Sequence, residues 1–173
     1  MKAISPLSVH MLFELRPVTE QDRAALVTLY EQCEDFIRLG SAAPIDDAMV
    51  QTDLDISQRN RGIFLCIWLP DSTLAGVADY IPAGFEGMAH CAFIELLMIG
   101  RPWRGRGMGA AVLKEIEQRV WGAAEITTLR LGVQVNNPQG INFWEAHGFS
   151  RISGPTPNPD GTVGYLYEKK RSG

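Results

Sequence analysis

The residues best suited to chemistry are three glycines and three arginines that stand together in the middle of the chain. They are Arg101, Arg104, Gly105, Arg106, Gly107 and Gly109. The apolar run before them predicts a buried strand and the apolar periodicity after them predicts a helix, so the glycines fall on a strand-to-helix turn. Such a turn exposes backbone N–H groups, and the helix dipole and the guanidinium groups add positive charge. The stretch therefore predicts a site for a phosphate-bearing group.

A single carboxylate interrupts the apolar strand that precedes this turn. Glu95 is the one charged residue among residues 92–99. A carboxylate in apolar surroundings is costly unless it is paired or hydrated, or unless its pKa moves toward neutrality. A carboxyl group of that kind can act as a general base, because an amine arrives as an ammonium and must lose a proton before it attacks. We predict Glu95 as a base or an amine anchor. The alternative is a side chain that leaves the core at the sheet surface.

The glycine spacing differs from two common phosphate sites. A nucleotide P-loop ends in Lys followed by Ser or Thr, and no such pair follows these glycines. A dinucleotide-binding turn has the pattern G-x-G-x-x-G, whereas the glycines here fall at positions 105, 107 and 109. A nucleotide-binding or phosphotransfer domain is therefore the weaker reading of the turn.

The elements that position these residues follow from the hydrophobic pattern. Residues 62–99 are predicted to form an antiparallel meander, and the apolar side of the next helix is built by Leu113, Ile116 and Val120. Alternating apolar residues over 129–135 predict a half-buried strand. A strand–helix–strand crossover is right-handed, which makes the strands on either side of this helix parallel. A mixed α/β sheet follows.

Two motifs resemble those of one known family. Arg104-x-x-Gly107-x-Gly109 resembles the pyrophosphate-binding signature R/Q-x-x-G-x-G/A of the GNAT superfamily of N-acyltransferases. Residues 136–149 are similar to its second pattern, N-x-x-A-x-x-F-Y-x-x-x-G-F. The residues that match in register are Asn137, Phe143, Gly148 and Phe149. Asn137 is also a predicted helix cap before Pro138, and Gly148 a predicted helix stop.

The resemblance covers residues 12–170 and is strongest over 92–150. It implies the GNAT fold in the α/β (α+β) class: a mixed, mostly antiparallel sheet of six to seven strands flanked by helices, with a splayed central parallel pair. Residues 12–171 are then a single N-acetyltransferase domain, and residues 1–11 an N-terminal extension.

The resemblance also implies a site. Acetyl-CoA is the expected co-substrate, no metal is expected, and the pantetheine arm would enter between the splayed strands. There, a backbone N–H near Ile99 would face the thioester oxygen. The expected cofactor contacts are Leu97, Met98, Ile99, Arg104, Gly105, Arg106, Gly107, Met108, Gly109, Asn137, Phe143 and Trp144. The expected catalytic residues are Glu95 and Tyr165.

Two positions depart from the second family pattern. Gly140 stands where Ala is usual, and Trp144 stands where many members place a Tyr proposed to protonate the departing thiolate. An indole has an N–H donor but no accessible acid chemistry, so Trp144 cannot replace a phenol. Tyr165 and Tyr167 on the last predicted strand are candidates for the acid, each with a packing role as the alternative. Water is another source of the proton.

The expected reaction is acetyl transfer to a primary amine of a small molecule or amino acid, by direct attack in a ternary complex. The alternatives are a non-catalytic acyl-CoA sensor and a protein N-terminal or lysine acetyltransferase. A net charge of −4 argues against broad nucleic-acid binding. The three cysteines form no C-x-x-C pair and fit a reducing cytoplasm. No apolar run approaches the length of a membrane span, and a homodimer is suggested only by analogy.

Overall fold

The computed structural model describes residues 12–172, so the predicted extension of residues 1–11 lies outside the described part. The strands are β1 (Glu14–Pro17), β2 (Ile63–Trp68), β3 (Leu74–Ile81), β4 (Cys91–Ile99), β5 (Thr128–Gln134), β6 (Ser150–Pro157) and β7 (Val163–Lys170). The helices are α1 (Arg23–Gln32), α2 (Glu34–Ile37), α3 (Asp47–Arg59), α4 (Met108–Trp121) and α5 (Pro138–Ala146). Within this range no helix is long and apolar enough to cross a membrane.

The strands form one seven-stranded mixed sheet in the order β1-β2-β3-β4-β5-β7-β6. Strands β4 and β5 are parallel, and the other neighbouring strands are antiparallel. The predicted meander and the predicted parallel crossover through α4 are both confirmed, as is the fold class.

The central parallel pair separates before its strands end. Pairing of β4 with β5 runs from Cys91 opposite Thr128 to Ile94 opposite Leu131. Beyond these residues β4 continues to Ile99 and β5 to Gln134 without pairing to each other. A gap therefore opens between the carboxyl ends of the two strands.

A β-bulge lies on the other edge of β4. In the β3–β4 register, Tyr80 stands opposite Ile94 and Asp79 stands opposite Leu96, so Glu95 is the extra residue. A bulge of this kind locally twists a strand and redirects a side chain. Glu95 is thus placed both at the bulge and at the first position of the gap.

Helices cover both faces of the sheet. On one face α4 packs through Val112, Leu113 and Ile116, which are almost completely buried against the central strands. On the other face a second core cluster contains Leu26 and Leu29 of α1 together with residues of α3 and β4. The central strands, with the gap and the bulge, therefore lie between two helical layers: α4 on one face, and α1 and α3 on the other.

Candidate active site

The glycine turn has the backbone that only glycine adopts without strain. Gly105 has a φ of 70° and Gly107 a φ of 82°, both in the left-handed region. A Cβ built at either position would meet no atom within 4 Å, so the space above the turn is open. Gly107 caps α4, and Ala111 donates to its carbonyl at 3.0 Å. The N–H groups before Ala111 have no intrahelical acceptor and face this open space.

The arginines of the turn have different surroundings. Nε of Arg104 donates to the Ile99 carbonyl at 2.7 Å, and its Nη1 lies 2.6 Å from Asp35. Arg101 lies 3.6 Å from the same carboxylate. Arg106 is exposed, with its guanidinium 5.6 Å from the ring centre of Trp103. The Arg104 side chain therefore ties the turn to the end of β4 and to α2, while Arg106 is left toward solvent.

The backbone of β4 presents polar groups to the gap. The N–H of Gly100 donates to Ala75 on β3 at 2.8 Å. Because the polar groups of successive strand residues alternate in direction, those of Ile99 and Leu97 face away from β3 and toward the gap. The Ile99 carbonyl already accepts from Arg104 and, at 3.5 Å, from the Cys33 thiol. Its N–H is the group directed into the gap beside the turn.

Glu95 is half-buried, and one side-chain amide holds its carboxyl group. Asn60 is the C-cap residue of α3, and its Nδ2 donates to Oε1 of Glu95 at 2.6 Å. Oε2 is buried and has no hydrogen-bond donor within residues 12–172. The pKa of Glu95 is raised to about 7. Burial is the largest cause; the Asn60 amide lowers the pKa, and the nearby carboxylate of Asp79 raises it. The pKa of this carboxyl group is therefore shifted toward neutrality.

Asp79 on β3 carries a second carboxyl group near Glu95. It is 3% exposed, and Oγ of Ser57 donates to it at 2.8 Å. Burial raises its pKa, and its carboxylate in turn raises the pKa of Glu95. Sequence reasoning missed Asp79, although an Asp within an apolar strand was the same signal that pointed to Glu95. It also missed Asn60, for which the sequence carries no signal.

The second motif folds as the sequence predicts. Oδ1 of Asn137 accepts from the N–H of Gly140 at 2.9 Å, which caps α5, and Gly148 ends the segment with a φ of 87°. A Cβ on Gly140 would lie 2.5 Å from the side-chain nitrogen of Asn137, so an alanine here would require that side chain to shift.

The aromatic residues of α5 lie beside the turn and in the core. Phe143 approaches Gly109 so closely that a Cβ there would be 3.3 Å from its ring. Trp144 is 9% exposed and packs edge-on against Phe143 and Phe149, with ring centres 4.9 and 5.3 Å apart. The structure therefore gives Trp144 a packing role. A contact with a cofactor stays a prediction.

The two tyrosines of β7 differ in their surroundings. Tyr167 is fully buried, and its hydroxyl donates to Glu145 at 2.9 Å. Tyr165 is half-buried opposite Val133 of β5, under the guanidinium of Arg151 at 4.5 Å. The hydroxyl of Tyr167 is thus engaged inside the protein, and Tyr165 stays the predicted acid. Among the described residues, no group of three or more His, Cys, Asp or Glu side chains is arranged to hold a metal ion.

The splayed parallel pair thus has an open glycine turn at one end of its gap and the half-buried carboxyl group of Glu95 at the other. The sequence model of the Acetyltransferase (GNAT) family matches residues 23–149, which is more than half of the chain. The protein belongs to this family.

Solved structures share the fold. An acetyltransferase from Thermus thermophilus has a TM-score of 0.73 at 22% identity, covering 94% of this chain and 99% of that one. PaiA N-acetyltransferase from Thermoplasma acidophilum, in complex with coenzyme A, has a TM-score of 0.67 at 20% identity, covering 93% and 100%. A chimeric spermidine N-acetyltransferase from Vibrio cholerae and hSSAT has a TM-score of 0.66 at 14% identity, covering 90% and 93%. No curated protein matches the sequence.

Proposed function

We propose that this protein transfers an acetyl group from acetyl-CoA to the primary amine of a small molecule or amino acid. One observation carries the proposal: β4 and β5 stop pairing at Ile94 and Leu131, and the next residue of β4 is Glu95. A carboxyl group with a pKa of about 7 thus lies where the gap begins, and the glycine turn lies where β4 ends. The proposed base therefore lies on β4, and the proposed anion site lies on the turn that follows this strand.

The described residues fit acetyl-CoA as a co-substrate. The open turn at Gly105 and Gly107 offers backbone N–H groups at the positive end of α4 for a pyrophosphate. Arg106 adds an exposed positive charge. The β4 polar groups that face the gap can hydrogen-bond the amide-containing pantetheine arm as an added strand would. When bound, acetyl-CoA supplies a thioester that carries the acetyl group.

The residues of this chain then have distinct tasks. The Glu95 carboxylate takes one proton from the ammonium of the acceptor, which frees the amine to attack the thioester carbonyl. The N–H of Ile99 donates a hydrogen bond to the carbonyl oxygen as that oxygen becomes negative. As the new C–N bond forms, the nitrogen loses its second proton to water and the C–S bond breaks, and Tyr165 or water gives a proton to the departing thiolate. Positioning and deprotonation are the main contributions of the protein.

A second candidate function is a sensor that binds acyl-CoA without turnover. The observation that favours it is the burial of Trp144, at the position where many family members carry a tyrosine. A protein without that phenol can still bind the cofactor at the glycine turn. Acetyl-CoA binding without thiol release for any amine would therefore identify the sensor.

The first experiment measures thermal unfolding with and without acetyl-CoA. A ligand that binds only the folded state raises the melting temperature, and we expect this rise in the wild type. Gly107→Trp fills the turn and should abolish it. Gly84→Trp is the matched control, because Gly84 also has a positive φ and open space but lies in the loop before β4. If saturating acetyl-CoA leaves the wild-type melting temperature unchanged, the coenzyme A assignment is wrong.

The second experiment measures thiol release over a panel of primary amines. Glu95→Gln keeps the shape of the side chain and removes the base, so kcat/KM should fall about 10²–10⁴-fold. Glu86→Gln, an exposed acid in the loop before β4, is the control and should retain activity. Equal activity of Glu95→Gln and wild type would remove Glu95 from the mechanism.

A further inference from the structure

A cleft of about 400 Å³ lies between α1, α2, α3 and β4, on the face of the sheet opposite α4. We call it the helical cleft. Its volume is in the range of sites that enclose small molecules. Leu96 and Met98 of β4 both line it, and Leu96 directly follows Glu95 in the chain. A molecule in the cleft therefore lies beside the strand that carries the base.

The lining of the helical cleft is largely apolar. Phe36 and Ile37 of α2 and Met49 of α3 contribute side chains to it, opposite the two β4 residues. The hydroxyl of Tyr30, which also lines it, is engaged with Asp53 at 2.8 Å. An apolar side chain placed here would be removed from water, which is the dominant favourable term in binding of this kind.

The charges of the lining have one sign. Asp46 and Asp53 border the cleft, and none of the described lining residues is Lys, Arg or His. Asp46 also accepts from the N–H of Met49 at 3.1 Å, so the positive end of α3 is already occupied by a carboxylate. A carboxylate entering the cleft would meet like charge and find no Lys, Arg or His among the lining residues.

We propose that the helical cleft binds the side chain of the acceptor, and that this acceptor is a small primary monoamine with an apolar tail and no carboxylate. Aralkyl amines and branched alkyl amines are the substrate class. This inference rests on the proposed function. A polyamine fits less well, because most of the lining is apolar and the carboxylates of Asp46 and Asp53 already accept hydrogen bonds from the Met49 N–H and the Tyr30 hydroxyl. A free amino acid fits less well because of its carboxylate.

The experiment compares three soluble amines by thiol release and by calorimetric binding in the presence of coenzyme A. Phenethylamine is the expected acceptor, phenylalanine adds only a carboxylate, and spermidine adds charges in place of the ring. We expect kcat/KM for phenethylamine to exceed that for each of the others by about tenfold or more. A peptide that begins with phenylalanine is included as a macromolecular acceptor.

Two variants locate the tail. Phe36→Ala removes an aromatic side chain from the cleft and should raise KM for phenethylamine about tenfold, with a smaller change for ethylamine. Phe85→Ala is the matched control, because Phe85 stacks on Phe93 at 3.8 Å and does not line the cleft. The melting temperatures of both variants are measured as well, and values close to that of the wild type would show that the fold is kept.

Each outcome separates this inference from the proposed function. Binding of phenethylamine without thiol release would contradict the acetyltransferase function but would support the proposed occupant of the cleft. Turnover of spermidine or phenylalanine above that of phenethylamine overturns the substrate class, with the function retained. A peptide turned over more efficiently than phenethylamine makes the acceptor a polypeptide N-terminus. If phenethylamine neither binds nor reacts at millimolar concentration, the inference is wrong.

Discussion

The side-chain amide of Asn60 donates a hydrogen bond to Oε1 of Glu95 at 2.6 Å, joining the end of α3 to the bulge of β4. This bond favours the charged carboxylate, whereas burial and the carboxyl group of Asp79 favour the protonated one. The opposing effects hold the pKa of Glu95 at about 7. A base with that pKa can take a proton from an ammonium and pass it to water at neutral pH.

Removing the amide should shift the pH dependence of the reaction upward. In the wild type, kcat/KM is expected to rise through about pH 7 and then level off, because Glu95 must be deprotonated to act. Asn60→Ala removes a bond to the charged form and should move this midpoint up by about one pH unit. Gln58→Ala, an exposed position on the same helix, should leave it in place. An unshifted midpoint in Asn60→Ala would contradict the role of the amide.

Removing the neighbouring carboxylate should have the opposite effect. Asp79→Asn keeps the size of the side chain and an acceptor for Ser57, but it removes the charge that disfavours ionisation of Glu95. The midpoint of the kcat/KM profile should fall by about one unit. Asp55→Asn, an exposed change on α3, serves as the comparison. An upward shift in Asp79→Asn would show that the pair does not interact as described.

The raised pKa also predicts a pH dependence of stability. Glu95 changes from an ordinary value of 4.5 to about 7 on folding, so the folded state binds the proton more tightly. The resulting stabilisation is complete below about pH 4.5 and is lost as pH rises through 7. The melting temperature of wild type relative to Glu95→Gln should therefore fall by roughly a few °C across this window. A constant difference would rule out the raised pKa.

We expect two arginines of the glycine turn to have different roles: Arg104 contributes to stability, and Arg106 contributes to cofactor binding. Arg104→Ala removes the bond to the Ile99 carbonyl and the ion pair with Asp35, and it should cost about 1–2 kcal/mol of unfolding free energy. Arg106→Ala breaks no ion pair within residues 12–172 and should change stability by less than about 0.5 kcal/mol. It should nevertheless weaken acetyl-CoA binding in a salt-dependent manner. The measurements are chemical denaturation and calorimetry at two ionic strengths, and the reverse pattern would refute this division of roles.

The cap of α3 supports the helix that carries Asn60. Asp46→Ala removes the acceptor for the Met49 N–H and should lower the unfolding free energy by about 1 kcal/mol. Asp46→Asn keeps the cap and removes the charge, so stability should be nearly unchanged. Denaturant titration of the two variants tests this. Similar losses in both would mean that charge, and not the cap, stabilises the helix.

Features set by neighbouring residues could be predicted from the sequence. The turn before α4 follows from glycines that alone tolerate a φ near 82°, and the cap of α5 follows from Asn137 ahead of Pro138. The parallel pairing of β4 with β5 also follows, because a helix between two neighbouring strands returns the chain to the end of the sheet where the first strand began. The family resemblance drew on the same short-range patterns.

The partners of the site residues could not be predicted. Glu95 was a candidate base from its apolar strand, but Asn60 and Asp79 became its neighbours through the bulge and the packing of α3. Arg104 matched a phosphate-binding signature, yet its side chain bonds to Ile99 and Asp35. Such contacts depend on the register between strands and on helix orientation, which no local pattern encodes.

The sequence by itself determined the order of elements, the glycine turn and the chemical type of each candidate residue. Backbone conformation and hydrophobic periodicity are short-range properties, so they can be recognised in a single chain. Only the tertiary structure decided that the gap begins at Glu95, that Trp144 is packed in the core, and that an apolar cleft bordered by acids is lined by Leu96, the residue after Glu95. These facts arise from burial and from contacts between residues far apart in the chain, where packing, not spacing, sets the outcome.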